Sequence, residues 1–379
     1  MSKIRIGFVV NNLVVGGVSA VLINLCNQLN QNKYEVHLLV LSDYLEMEKI
    51  IPLSTHVNKY IFSYAFLESY SLSSYLKSAF SQKVTNSRSV KVTAKIKELN
   101  LDILHFHTLP RQLVIGQLAQ KENPRLKLVF TDHLLRISEG QYKKHQRILL
   151  TIALKRYYRS YHLIAVSKSV YNFIRQNYLN NKEFELLENS ISINDFNRTY
   201  PITSDAPNKF IYVSRMNHHK GQNTLIEAWK KINDVNKGKL ILIGPDESNG
   251  KFYEMAKEDS SIEFTGSVPN VKDYLNNSTV AIFPSQKEGL PIALLEMMAY
   301  ELPIICSNIP ELTSIISDNK QGLHFMLDDV DDLASKIIFA INNKDKMISM
   351  GKNARSKVED ICCRNEPIAF HDSFYRTIL

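Results

Sequence analysis

Four side chains in the second half of this 379-residue sequence have types and spacing suited to a charged sugar derivative. Arg215 and Lys220 lie five residues apart in FIYVSRMNHHKGQNTLIEAWKKI, where a strand-like run passes through Gly221 into a helix-like one. Two cations with a helix dipole behind them can neutralise a diphosphate; on a loop with no other signal they would be ordinary surface charges. Glu288 and Glu296 follow in VAIFPSQKEGLPIALLEMMAYELPIICSN, with seven residues between them. Gly289, Leu290, Pro291 and Ile292 open the helix that carries Glu296, and Pro291 suits its first turn. A carboxylate accepts hydrogen bonds from vicinal hydroxyls. The pattern therefore fits a nucleotide sugar, with Glu288 on the sugar, Glu296 on the ribose and loop N–H groups on the phosphate between them.

Elements that position such groups are legible around them. KIRIGFVVNN, EVHLLVLS, DILHFHT, LKLVFTDH and HLIAVS read as buried strands of the first half, and FIYVSR, KLILIG, IEFTGSV, VAIFPS and PIICSN as those of the second. Helix-patterned stretches such as Gly17 to Asn30 and Thr224 to Val235 lie between them. The alternation predicts an α/β protein with parallel sheets. Its length predicts two doubly wound domains, divided in TYPITSDAPNKF: residues 1–200, then 201–360, with a final segment 361–379. Ligands of such sheets sit beyond the carboxyl ends of the strands. At the end of the first strand, in NNLVVGGVSA, Gly16 and Gly17 fit either a tight turn or the close approach of backbone to a phosphate.

With 44% hydrophobic residues and only 13 Gly and 12 Pro, a collagen-like or wholly disordered chain is excluded. No apolar run reaches the roughly 18–20 residues of a membrane span, and the opening MSKIRIGFVV lacks the features of a signal peptide, so a cytosolic location is expected. Cys26, Cys306, Cys362 and Cys363 form no Cys-x-x-Cys pair, and reduced thiols are expected. The net charge of +8 is uneven, +12 over residues 1–200 and −4 over 201–379. Ser69 to Lys97 holds six Lys or Arg and no acid, with Tyr70, Tyr75 and Phe80 interleaved. In QYKKHQRILLTIALKRYYR, Lys143, Lys144, Arg147, Lys155, Arg156 and Arg159 bracket an apolar run, which fits a helix facing anionic lipid or one with a buried face and solvated charges. No recognised nucleic-acid module accompanies the charge, and no nucleic-acid partner is expected.

FPSQKEGLPIALLEMMAYELPIICSNIPELTSII closely resembles the signature region of retaining glycosyltransferases of family 4. The resemblance runs along nearly the whole chain through GGVS, DILHFHT, LVFTDH, AVSKSVYNFI, LLENSISINDF, VSRMNHHKG, LILIGPD, IEFTGSV and QGLHF, in matching order. It implies the GT-B architecture, two Rossmann-like domains facing across a cleft, with AFHDSFYRTIL as a last helix packing back on the first domain. It further implies that Arg215 and Lys220 grip the donor pyrophosphate and that Glu296 holds the ribose. Glu288 and the N–H groups near Gly289 to Ile292 would hold sugar and phosphate, while Gly16 and Gly17 close over them. His133 matches the family's active-site histidine, with His105 and His107 as neighbouring competitors. Asn189-Ser190 and Ser214-Arg215 depart from the family's Asn-Gly and Gly-Arg, and Glu301 stands where glycine is frequent; local changes of loop backbone are expected.

The implied activity is transfer of a sugar with retention, from a UDP-sugar in the first instance, to a lipid-linked or saccharide acceptor in surface polysaccharide biosynthesis. The protein would sit at the inner face of the membrane. No cofactor or metal is called for, the nucleotide sugar being a substrate. Asp329-Val330-Asp331 resembles an Asp-x-Asp metal site but reads better as the acidic first turn of an amphipathic helix, and adjacent His218 and His219 lack a spaced ligand set for zinc. A sugar-nucleotide epimerase and a non-catalytic binding protein of the same fold are the alternatives.

Overall fold

The computed structural model describes residues 3–62, 87–107, 112–133, 144–233 and 236–379. Tyr70, Tyr75, Phe80 and the rest of the basic stretch before residue 87 lie outside them, as do Lys143 and Val235. The chain forms two compact units, Met1–Glu188 with Pro367–Leu379, and Asn189–Glu366.

In the first unit, β1 (Ile4–Val10), β2 (Tyr34–Val40), β3 (Val57–Ile61), β4 (Ile103–His107), β5 (Lys127–Asp132), β6 (His162–Ala165) and β7 (Glu185–Leu186) pair in parallel in the order β3-β2-β1-β4-β5-β6-β7. The helices among them are α1 (Gly17–Gln28), α2 (Ser87–Leu99), α3 (Leu113–Glu122), α4 (Lys144–Ser160) and α5 (Lys168–Asn177). Both faces of the sheet are covered, which is why its central strands are nearly continuously apolar. Ile6, Phe8 and Val10 of β1 join one core cluster, and Val9 joins the other.

The second unit repeats the plan. Strands β8 (Lys209–Val213), β9 (Lys239–Ile243), β10 (Ile262–Gly266), β11 (Val280–Phe283), β12 (Ile304–Ser307) and β13 (Gly322–Phe325) are parallel in the order β10-β9-β8-β11-β12-β13. Its helices are α6 (Gln222–Lys230), α7 (Lys251–Ala256), α8 (Val271–Asn276), α9 (Ile292–Ala299), α10 (Pro310–Thr313), α11 (Val330–Asn342) and α12 (Lys344–Arg364). The last helix, α13 (Pro367–Ile378), belongs to the first unit, where Tyr375 is fully buried and Asp372 accepts a 2.9 Å hydrogen bond from the Tyr34 hydroxyl. In each sheet the strand order reverses once, between β1 and β4 and between β8 and β11. Those are the switch points beyond which such sheets bind ligands.

Several details differ from the sequence reading. The units divide at Glu188–Asn189, ahead of residue 200, because Phe196 is part of the second core and Arg198 donates to the carbonyls of Leu275, Ser278 and Tyr300. The returning segment starts at Pro367, residues 361–364 still belonging to α12. Pro291 is the cap residue immediately before α9, with ψ of 126°, and stands outside the first turn. Helix α6 begins at Gln222 and ends at Lys230. Asp329 caps α11 by accepting from the Asp332 N–H at 2.9 Å, and Asp331 and Asp332 occupy its first turn. All four cysteines are free thiols, Cys26 and Cys306 buried.

Candidate active site

In the second unit the candidate residues come from the ends of β8 and β11, the two strands that flank the switch point. After β8 the chain runs beside the end of β9: the Ser214 N–H donates to Ile243 and the Met216 N–H to Pro245. That approach needs Gly244, since a Cβ there would lie 2.0 Å from the Ser214 carbonyl oxygen. Ser214 itself needs no glycine, having no positive φ. Next, Gly221 takes the left-handed conformation (φ 73°) between the short helical turn His218–Lys220 and α6. A Cβ on Gly221 would meet the Pro284 carbonyl oxygen at 2.1 Å. The loop is also tied from beneath. The buried Tyr212 hydroxyl donates to the Lys220 carbonyl at 2.9 Å and lies 2.9 Å from Ser285 Oγ, and Gln222 Nε2 donates to the Arg215 carbonyl at 3.0 Å.

These ties bring Lys220 and Glu288 together. Lys220 Nζ donates to Glu288 Oε1 at 2.7 Å, and Glu288 is only 4% exposed. Arg215 is exposed and pairs elsewhere: its Nη1 donates to Glu247 Oε1 at 2.9 Å, while Asn217 Nδ2 donates to Glu247 Oε2 at 2.9 Å. Glu247 was not singled out from the sequence; the only signal was its place just after a strand end, in GPDE. Glu311 was missed as well. It lies buried in α10, where desolvation, reinforced by the charge of Glu288, raises its pKa.

Gly289 and Leu290 are buried in the loop before α9, and the Leu290 carbonyl accepts from Asn189 Nδ2 at 2.8 Å. Ser190 Oγ donates to the Asn365 carbonyl at 2.9 Å, so the departure from Asn-Gly gains a tether. Pro291 offers no side chain to cap α9, and the first-turn N–H groups of Ile292 and Ala293 receive no such cap. Glu296 lies about one turn into α9. No hydrogen bond from a described residue reaches its carboxyl group, and desolvation, opposed weakly by Lys272, raises its pKa to about 7. Glu301, beyond the helix end, adopts φ 56°, the left-handed backbone that glycine would supply.

In the first unit, Gly16 precedes α1, whose N-terminus also lacks a side-chain cap. A Cβ on Gly16 meets nothing within 4 Å, and its backbone is extended, so internal packing does not demand glycine there. Gly17 is exposed as the first residue of the helix. His133 stands just past β5, buried, with Nε2 3.1 Å from His107 Nδ1. His105 is occupied within the core by Tyr375 and Thr131, each at 2.7 Å. Among the described residues, no group of three or more His, Cys, Asp or Glu is arranged to hold a metal ion.

Family comparison matches both units. Residues 15–194 match the model described as Glycosyltransferase Family 4, and residues 196–357 match Glycosyl transferases group 1. The chain is a family 4 glycosyltransferase. It is 23% identical to the N-acetyl-alpha-D-glucosaminyl L-malate synthase of Bacillus anthracis over 96% of this chain and 95% of that one. It is 29% identical to the Staphylococcus aureus capsular polysaccharide biosynthesis glycosyltransferase CapH, over 58% of this chain and 63% of that one. In fold, this glycosyltransferase resembles Anabaena HepE, solved with UDP and glucose, at a TM-score of 0.77 and 16% identity over 98% of this chain and 100% of the other. The parallel Rossmann-like sheets of the two units are those of the GT-B fold.

Proposed function

We propose that this enzyme transfers a sugar, with retention of anomeric configuration, from a UDP-sugar to a lipid-linked or saccharide acceptor in surface polysaccharide assembly. The observation that carries the reading is the Lys220–Glu288 pair beside the β8/β11 switch point, next to the uncapped start of α9. In the free protein the two groups neutralise each other. A diphosphate arriving at Lys220 and the α9 N–H groups draws the ammonium away and leaves Glu288 able to accept hydrogen bonds from sugar hydroxyls. Arg215 adds a second cation, and Glu296, whose carboxyl group receives no hydrogen bond from a described residue, accepts from the ribose hydroxyls. Gly16, Gly17 and His133 of the first unit serve the same reaction.

In this scheme departing diphosphate oxygen takes the acceptor proton, and the protein contributes positioning and charge stabilisation at the breaking bond. Glu288 and Glu296 bind hydroxyls and do not play the nucleophile and acid of a glycosidase. With Arg215, Lys220 and helix N–H groups supplying positive charge, no metal is invoked. The pairing with a capsular polysaccharide relative and a HepE structure holding UDP supports the donor and pathway class.

For the acceptor side, contact with an anionic membrane surface draws support from α4. It buries Ala153, Leu154, Tyr157 and Tyr158 and turns Ile148, Ile152, Arg156 and Arg159 outward, an apolar and cationic stripe. No helix among the described residues is long and apolar enough to cross the bilayer. Flotation with vesicles containing anionic lipid should carry the protein upward; vesicles that leave it at the bottom contradict the membrane contact. The transfer itself is tested with a nucleotide-sugar panel read by thermal shift, since a ligand at 100 times its Kd adds about 2.7 kcal/mol of stability. A UDP-sugar is expected to give the largest shift, and conversion of the donor to an epimer without acceptor would overturn the assignment.

A further inference from the structure

Beneath the cationic loop of the second unit, three buried hydroxyls join the carboxyl ends of β8, β11 and β12. They belong to Tyr212, Ser285 and Ser307. Their direction follows from the carbonyls at either end, which can only accept. Ser307 Oγ donates to the Ser285 carbonyl at 2.5 Å, and Tyr212 Oη donates to the Lys220 carbonyl at 2.9 Å. The one proton of Tyr212 is thereby committed, so Ser285 Oγ is the donor in its 2.9 Å contact with Tyr212 Oη. The Ser214 side chain also approaches the phenol. Burial, reinforced by the charge of Glu288, pushes the phenol above its usual range, so Tyr212 remains a donor at neutral pH.

This relay runs from the segment that carries Glu288 to the one that carries Lys220. Ser285 stands three residues before Glu288, and Tyr212 holds the backbone of Lys220 itself. The Lys220 N–H donates to the Asn217 carbonyl at 3.0 Å, and Gly221 beside it lies against the Pro284 carbonyl. A lysine side chain is long and flexible, so the reach of its ammonium is limited chiefly by where its backbone is fixed. Apolar side chains would fill the ends of a buried parallel sheet without the desolvation cost of three hydroxyls. We infer that Tyr212 is a positioning residue for Lys220, held in that role by Ser285 and Ser307, so that the ammonium meets the donor diphosphate from a fixed backbone. The inference rests on the proposed binding of that diphosphate at Lys220.

Tyr212→Phe removes one oxygen and keeps the ring, which packs edge-on against Phe283 with centroids 5.3 Å apart. Calorimetric titration of UDP into wild type, Tyr212→Phe, Lys220→Ala and the double variant completes a cycle. Tyr212→Phe is expected to weaken UDP about three- to tenfold, the scale of one neutral hydrogen bond, and to cost nothing further once Lys220 is gone. An equal loss in both backgrounds would mark Tyr212 as merely structural and refutes the inference. So does wild-type affinity in Tyr212→Phe while Lys220→Ala binds weakly. Undiminished affinity in Lys220→Ala instead overturns the diphosphate site, and the inference with it. Ser285→Ala gives a second reading, a loss of about two- to threefold that again vanishes without Lys220. Should Tyr212→Phe fail to fold, wild-type affinity in Ser285→Ala refutes the relay.

Discussion

Glu296 is the residue whose chemistry is most exposed to test. Its folded pKa of about 7 lies above the ordinary carboxylate value of 4.5 because the charged form is desolvated. The native state therefore binds more protons than the unfolded chain between those two pH values, and stability falls as pH rises through that window. Below the window both states are protonated and nothing is lost; above it the full cost of the buried charge is present. Glu296→Gln is thus expected to be more stable than wild type at pH 8, on the order of 1–3 kcal/mol, with the gap closing by pH 5 in urea unfolding. The same substitution should weaken UDP binding about 10- to 100-fold at pH 8, as expected for a lost charge-assisted hydrogen bond. Greater stability with weaker binding is the signature of a group kept for a ligand; an equal loss of both would mark Glu296 as structural.

At the level of elements, two glycines fix the geometry of the cationic loop. Gly221→Ala adds a Cβ against the Pro284 carbonyl in a left-handed backbone, and Gly244→Ala sets one against Ser214. Each is expected to cost about 2–4 kcal/mol of stability, from overpacking together with strain or backbone displacement, measured by the denaturant midpoint. A loss under 1 kcal/mol would mean the loop yields freely and does not hold Lys220 in place. The strands carrying these loops were legible because central parallel strands are apolar on both faces, as in FIYVSR and VAIFPS. Three of the four edge strands were not, IEFTGSV at the edge of the second sheet being the exception. Val57–Ile61 alternates no clean apolar face and leaves Asn58, Lys59 and Ile61 exposed, β7 has two residues, and β13 has four. The unit boundary was misplaced for a related reason: Phe196 and Arg198 are single anchors within a polar stretch, and periodicity does not register single anchors. Among site residues, the charged ones could be chosen by type and spacing. Glu247, Glu311 and the His107–His133 contact could not, because they depend on which loops lie side by side.

For the molecule as a whole, the charge distribution sharpens the role of the local site. Residues 201–379 carry a net −4, so the overall field of the half proposed to bind the donor opposes a polyanion. Any affinity for a diphosphate there must come from a few placed groups: Lys220, Arg215 and the helix start of α9. Both cations also have carboxylate partners in the free protein, Glu288 and Glu247, which the ligand has to displace. The most direct measurement is calorimetric titration of UDP into wild type, Lys220→Ala and Arg215→Ala, with unchanged near-ultraviolet circular dichroism as the folding control. Removing Lys220 is expected to weaken UDP about 10- to 100-fold, and removing the more exposed Arg215 by a smaller factor. Equal UDP affinity in all three folded proteins would contradict the assignment of the diphosphate to this loop.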